Sequence, residues 1–143
     1  MKPEDLEKLP PDVKKDFMKY AIKLAEKKKQ SAAHDDFLTF TKHVWPEFIE
    51  GKHHKIIAEK FNRLAKGEVK RLIINMPPRH TKSEFASNLL PAWMVGRKPD
   101  LKIIQTTHTT ELALRFGRKA KNLIDSAEYQ QLFKTRLKED SQA

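Results

Sequence analysis

Lys82 and Ser83 stand side by side at the end of the run MPPRHT, Met76 to Thr81. A lysine followed by a hydroxyl residue suits a polyphosphate site: the ammonium reaches the terminal phosphates, and the hydroxyl ligates a magnesium ion at the first turn of a helix. The general pattern G-x-x-x-x-G-K-[ST] falls on Met76 to Ser83, with Met76 and Thr81 where the two glycines would be. A threonine resists positive φ, so if the loop needs that geometry at Thr81, the residue costs about 1–2 kcal/mol.

Such a loop must join a strand to a helix. VKRLIIN, Val69 to Asn75, is short, β-rich and apolar in its second half, as a strand covered on both faces would be. Helical spacing resumes over Lys82 to Val95 through Phe85, Leu89 and Trp93, with Pro91 as a kink and Gly96 as a stop. LKIIQTT, Leu101 to Thr107, reads as a second strand, and Thr109 to Asp125 as a further helix carrying Leu112, Phe116, Ala120 and Leu123. Strand, loop, helix, strand, helix predicts a βαβ arrangement feeding a parallel sheet.

Upstream, every element reads as helical. Pro11 to about Gln30 is amphipathic through Val13, Phe17, Ala21 and Leu24, and Ser31 to His34 reads as a joint. Asp35 or Asp36 caps a second helix with Phe37, Phe40, Val44 and Trp45 on one face, ended by Pro46. A third runs from about His53 to Lys66, with Ile56, Ile57, Phe61 and Leu64 inward and Gly67 as its stop.

The chain has 143 residues, with 29 Lys+Arg against 19 Asp+Glu, a formal charge of +10 that favours a polyanionic partner such as DNA or RNA. With no cysteine, disulfides, zinc–thiolate sites and cysteine nucleophiles are excluded. No apolar run approaches the ~20 residues that cross a bilayer, and Lys2, Glu4 and Asp5 do not lead into a signal-peptide core, so the sequence reads as soluble and intracellular.

The runs RLIINMPPRHTKSEFASNLLPAWMVGRKPDLKII, FLTFTKHVWPEFIEGKHHKIIAEKF and LALRFGRKAKNLIDSAEYQQLF, together spanning Phe37 to Phe133, resemble the ATPase start of bacteriophage terminase large subunits, whose Walker A variant commonly reads PPRHGKS. The resemblance implies an ATP-driven motor that packages viral double-stranded DNA into procapsids, working as a homo-oligomeric ring with the portal protein and the small terminase subunit. Its place would be the host bacterial cytoplasm, at the procapsid portal.

Carried over residue by residue, Lys82 would bind the β and γ phosphates of ATP, Ser83 would ligate Mg²⁺, and the amides of Arg79 to Lys82 would form the cradle, since Pro77 and Pro78 cannot donate. Arg79 and Lys82 would be the catalytic cations. Pro78, Arg79, His80, Thr81, Lys82, Ser83 and Glu84 would contact the nucleotide, with His80 shaping the loop. The departure from PPRHGKS is Thr81.

The implied fold is α/β: a P-loop NTPase-like parallel sheet with flanking helices, incomplete, preceded by N-terminal helices. Residues 1–34 would be a helical extension and residues 35–143 the first part of the ATPase domain. No apolar strand ending in Asp-Glu follows Leu101, and the acidic pair Glu139 and Asp140 sits in a polar tail. The second acidic motif and a nuclease domain are therefore expected outside this chain. A non-catalytic nucleotide- or DNA-binding remnant or regulator, without ATP turnover, is the alternative.

His53 and His54 open the third helix, where capping and packing compete with a nucleotide-pocket role. Adjacent helical residues point about 100° apart, so the pair does not readily chelate one metal. Trp45 and Trp93 complete apolar helix faces. Thr106, Thr107 and Thr109 suit either a turn and helix cap or a ligand edge, and Arg115, Arg118, Lys119 and Lys121 make the last helix basic.

Overall fold

A computed structural model describes residues 10–137, so Glu139 and Asp140 lie outside the described residues. The chain divides into two compact units, Met1–Ser31 and Ala32–Ala143. In the first, the described residues from Pro11 onward belong to α1 (Pro11–Asp35), where Pro11 occupies the opening turn and tolerates the missing N–H. Its apolar stripe is exposed: Val13, Phe17, Tyr20 and Leu24 all face solvent. The expected joint at Ser31 to His34 is helical, because α1 continues through Ala32 and Ala33.

The second unit opens on the last turn of α1 and continues with α2 (Phe37–Val44) and α3 (Lys52–Ala65). Asp36 caps α2, its carboxylate accepting from the Thr39 amide at 2.8 Å and from the Asn62 side chain at 2.7 Å. Asn62 completes the joint by accepting from the Phe37 amide at 2.8 Å, which pins α2 to α3. Burial alone would raise the Asp36 pKa, but the hydrogen bonds from Thr39 and Asn62 outweigh it and hold the carboxyl below its ordinary value. Gly67, at φ 80, releases the chain from α3 in the left-handed geometry that suits glycine.

The next helical stretch begins at Lys82, widens into π-helical turns over Glu84–Leu89, and continues as α4 (Leu90–Arg97). Pro91 is the physical cause: it has no N–H for the carbonyl four residues back. The Leu90 amide instead reaches five residues back to the Phe85 carbonyl, and the carbonyl of Ser87 accepts from the Gln105 side chain at 3.2 Å. Gly96 lies inside α4 rather than ending it. Then come α5 (Thr110–Asp125), capped by Thr109, and α6 (Ala127–Leu132), capped by Ser126.

These helices enclose an aromatic core. Phe37, Phe40, Phe61, Phe85, Trp93 and Tyr129 are at most 1% exposed. Phe37 sits at its centre, edge-on to Phe61, Phe85 and Trp93 at ring-centroid distances of 5.0, 5.4 and 5.5 Å. Trp93 also donates its indole N–H to the Ala33 carbonyl at 3.3 Å, tying α4 to the end of α1.

The expected parallel sheet is absent: among the described residues there is no strand, and the fold is helical rather than α/β. No backbone hydrogen bond joins residues 70–76 or 102–107 to another segment among the described residues. Short apolar runs encode burial, not pairing, and a strand without a ladder partner has nothing to stabilise it. Leu72, Ile74 and Met76 pack against the helical core from one side, while Ile73 is 86% and Ile104 90% exposed. The core is thus built from helices, with the two runs laid on its surface.

Candidate phosphate-binding loop

Phe85 is the fixed point of the site. Buried at 1% exposure one turn after Lys82, it anchors the start of the helix in the core and presents Met76 to Glu84 as a loop above it. Pro78, Arg79, His80, Thr81, Lys82, Ser83 and Glu84, with Met76 and Pro77, line one concavity of about 420 Å³. All seven residues singled out in the sequence therefore lie together.

The loop backbone alternates in the sign of φ: Arg79 lies at 63° and Thr81 at 58°, while His80 between them is not among the positive-φ residues. Alternation of this kind turns successive amides to one side and makes an anion-binding nest. The amides of Arg79, His80 and Thr81 donate to no protein acceptor among the described residues. At the helix start the Thr81 carbonyl accepts from Phe85, leaving the first-turn amides beside the same concavity. Two non-glycine residues in the left-handed region cost about 1–2 kcal/mol each, so something must hold them there.

Part of the hold comes from His54, which is 5% exposed. Its Nδ1 accepts from the Gly51 amide at 2.9 Å, so the proton sits on Nε2. Nε2 donates to Thr81 Oγ1 at 2.6 Å, and the threonine hydroxyl donates to the His80 carbonyl at 2.7 Å. Burial first, then the neighbouring His53, pushes the His54 pKa below its ordinary value; Glu50 opposes this and His80 adds to it. The ring packs on Phe48 and Phe85, with centroids 4.8 and 5.0 Å away, and those two rings are themselves 5.5 Å apart. Thr81 is thus joined to the N-terminus of α3 through one neutral imidazole.

His80 shapes the loop from within, donating from Nδ1 to the Pro78 carbonyl at 2.8 Å. His53 packs between the other two rings, 3.8 Å from His54 and 5.7 Å from His80, and its Nε2 is buried without a hydrogen-bond partner among the described residues. Among the described residues no group of three or more metal-ligating side chains comes together.

The charges divide unequally. Lys82 Nζ folds back to the Met76 carbonyl at 3.4 Å, across the loop. Arg79 is exposed and makes no ion pair among the described residues. Glu84 is drawn towards α5 by an ion pair with Lys119 and accepts from Asn88 at 3.3 Å. An incoming polyphosphate would therefore meet two available cations, open amides and a carboxylate already neutralised. The Ser83 hydroxyl is exposed at the first helical turn, the position from which it could ligate a magnesium ion carried by that polyphosphate.

The other flagged residues lie apart from this loop. Thr109 caps α5, accepting from the Leu112 amide at 3.3 Å, and Thr107 donates to the Thr109 carbonyl at 2.7 Å. Trp93 is core and Trp45 packs partly buried against it. Arg115 and Arg118 are exposed on α5. Two features carried no sequence signal: the partner of Glu84 lies 35 residues away, and the hydroxyl that His54 reaches lies 27 residues away. No helix among the described residues is long and apolar enough to cross a membrane.

Comparison with protein-family models, with curated proteins and with solved structures returns no match for the chain.

Proposed function

We propose that Met76 to Glu84 binds the β and γ phosphates of ATP, and that the chain serves as the N-terminal ATPase part of a bacteriophage terminase large subunit, the motor that packages DNA into procapsids. The observation that carries the phosphate assignment is the amide-lined concavity held open by positive φ at Arg79 and Thr81. In this reading Lys82 leaves the Met76 carbonyl for the phosphates, Arg79 covers the γ phosphate, and Ser83 turns its hydroxyl to Mg²⁺, which neutralises phosphate charge when bound. The assignment rests on the loop and on the run RLIINMPPRHTKSEF, not on fold class. The formal charge of +10 supports double-stranded DNA as the polyanion handled. The motor reading places the assembled enzyme in the bacterial cytoplasm at the portal, as a ring working with the portal protein and the small subunit.

A second reading is supported by the acids around the loop. Among the described residues the one carboxylate that lines the concavity, Glu84, is paired with Lys119, which leaves no free carboxylate there to activate water. This favours nucleotide binding without turnover by this chain alone, whether as part of the motor or as a regulator.

Calorimetric titration of MgATP into the chain and into Lys82→Ala tests the assignment. The expected result is binding that weakens by about tenfold or more in the variant, without steady phosphate release from either protein. Equal affinities would remove Lys82 from the site, and turnover abolished by Lys82→Ala would contradict the non-catalytic reading.

A further inference from the structure

A glycine at the position before Lys82 would adopt positive φ at no steric cost; this chain has Thr81 there, at φ 58°. Nothing intrinsic to threonine favours that backbone. The only hydrogen bonds its side chain makes among the described residues are the hydroxyl's bonds to His54 Nε2 and to the His80 carbonyl. His54 in turn is held by the Gly51 amide on Nδ1 and by ring contacts with Phe48, Phe85 and His53. The charged or titratable groups around it are Glu50, His53 and His80. Glu50 is itself held by Lys42 and by Lys55, the latter at 2.9 Å.

We propose that His54 is a positioning residue: through Thr81 Oγ1 it latches the loop in the left-handed conformation that turns its amides into the phosphate cradle. The inference rests on the phosphate-loop reading and gives it a dependence that glycine-containing loops of this kind do not need. The histidine touches no phosphate. It replaces, with a side-chain hydrogen bond from a neighbouring helix, the conformational freedom that glycine would have supplied. With Nδ1 accepting from the Gly51 amide and Nε2 donating to Thr81, the ring is the neutral Nε2–H tautomer; protonating Nδ1 would break the bond to Gly51 that holds the ring in place.

The test is a double-substitution cycle read by inorganic tripolyphosphate binding. His54→Phe keeps an aromatic ring against Phe48 and Phe85 and removes the donor; it should weaken binding about 3- to 10-fold. His54→Gln, whose amide nitrogen reaches a similar place, should stay within about twofold of the parent. In a Thr81→Gly background, His54→Phe should change affinity by less than about twofold, because glycine holds the backbone unaided. Equal losses in both backgrounds would overturn the latch. Where a His54 variant does not fold, Thr81→Val removes the hydroxyl and leaves His54 in place; it should reproduce the 3- to 10-fold loss that the hydrogen bond predicts, and unchanged affinity would overturn the proposal.

Failure of the phosphate reading has a separate signature. If the parent chain does not bind tripolyphosphate, or Lys82→Ala binds it equally well, that reading falls. The latch is then judged by the intraresidue amide-to-Hα nuclear Overhauser effect at Thr81, which is strong at positive φ. Loss of that signal in Thr81→Val supports the latch, and persistence refutes it.

Discussion

Two glycines sit inside helices of this protein, and replacing each with alanine should move stability in opposite directions. At Gly117, in α5, a Cβ would meet nothing within 4 Å. Alanine there gains only the helical preference of about 0.5–1 kcal/mol. At Gly96, in α4, a Cβ would lie 2.6 Å from Phe133 Cδ2 and Cγ and 2.7 Å from the Tyr129 hydroxyl oxygen. Neither neighbour is a flexible tip that can swing away: Phe133 is 4% and Tyr129 0% exposed, and the tyrosine hydroxyl donates to the Ala92 carbonyl at 2.8 Å. Overpacking of this kind costs about 1–3 kcal/mol, and displacing the tyrosine adds about 0.5–1.5 kcal/mol for its hydrogen bond. After subtracting the helical gain, Gly96→Ala should destabilise by about 0.5–4 kcal/mol. Urea unfolding followed by far-UV circular dichroism reads both variants directly. A Gly96→Ala protein as stable as Gly117→Ala would refute the close packing of α4 on α6, and with it the rigid seating of the helix that carries the loop.

Acid should loosen the same region. The His54 pKa is depressed from its ordinary value of 6.5, chiefly by burial, so on acidification the unfolded chain binds a proton before the folded one does. Its contribution to stability is therefore complete above that value and is lost as pH falls through it towards the folded pKa. Urea midpoints measured across that range should fall with acid in the parent and fall less in His54→Gln; parallel slopes would contradict the assignment. At the alkaline end, burial pushes the Tyr129 phenol up to about 12, so its folded form resists ionisation and stability should drop as pH rises through the ordinary tyrosine range. Tyr129→Phe should cost about 0.5–1.5 kcal/mol at neutral pH and flatten that alkaline loss; an unchanged alkaline profile would place the effect elsewhere.

The helices were legible wherever capping chemistry and apolar spacing agreed. Asp36 before Phe37, Gly67 after α3 and Thr109 before α5 fixed their boundaries to within a residue or two, because caps are local. Gly96 misled because a glycine ends a helix or admits a close neighbour, and Phe133, 37 residues downstream, decides which. The predicted strands at Val69 to Asn75 and Leu101 to Thr107 failed for a different reason. Their apolar content is real, and Leu72 and Ile74 do pack inward, but pairing depends on a partner segment that local pattern does not specify. Ile56 failed similarly: the helical period placed it inward, yet it is 60% exposed beside the unpaired run, while Ile57 turns into the core. The loop itself was legible as a set of seven neighbours. Its conformation was readable only as a condition on Thr81, and the imidazole that meets that condition comes from another element.

The central claim is that the amides of Arg79 to Ser83, and not the general basicity of a chain with formal charge +10, bind polyphosphate. The most direct measurement is a titration of tripolyphosphate into ¹⁵N-labelled protein, followed amide by amide. Saturable shifts centred on Arg79, His80, Thr81, Lys82 and Ser83, lost in Lys82→Ala, are the predicted result. Shifts spread over the lysines of α1 and over Arg115 and Arg118 of α5, unchanged by Lys82→Ala, would show that the loop is not a phosphate site.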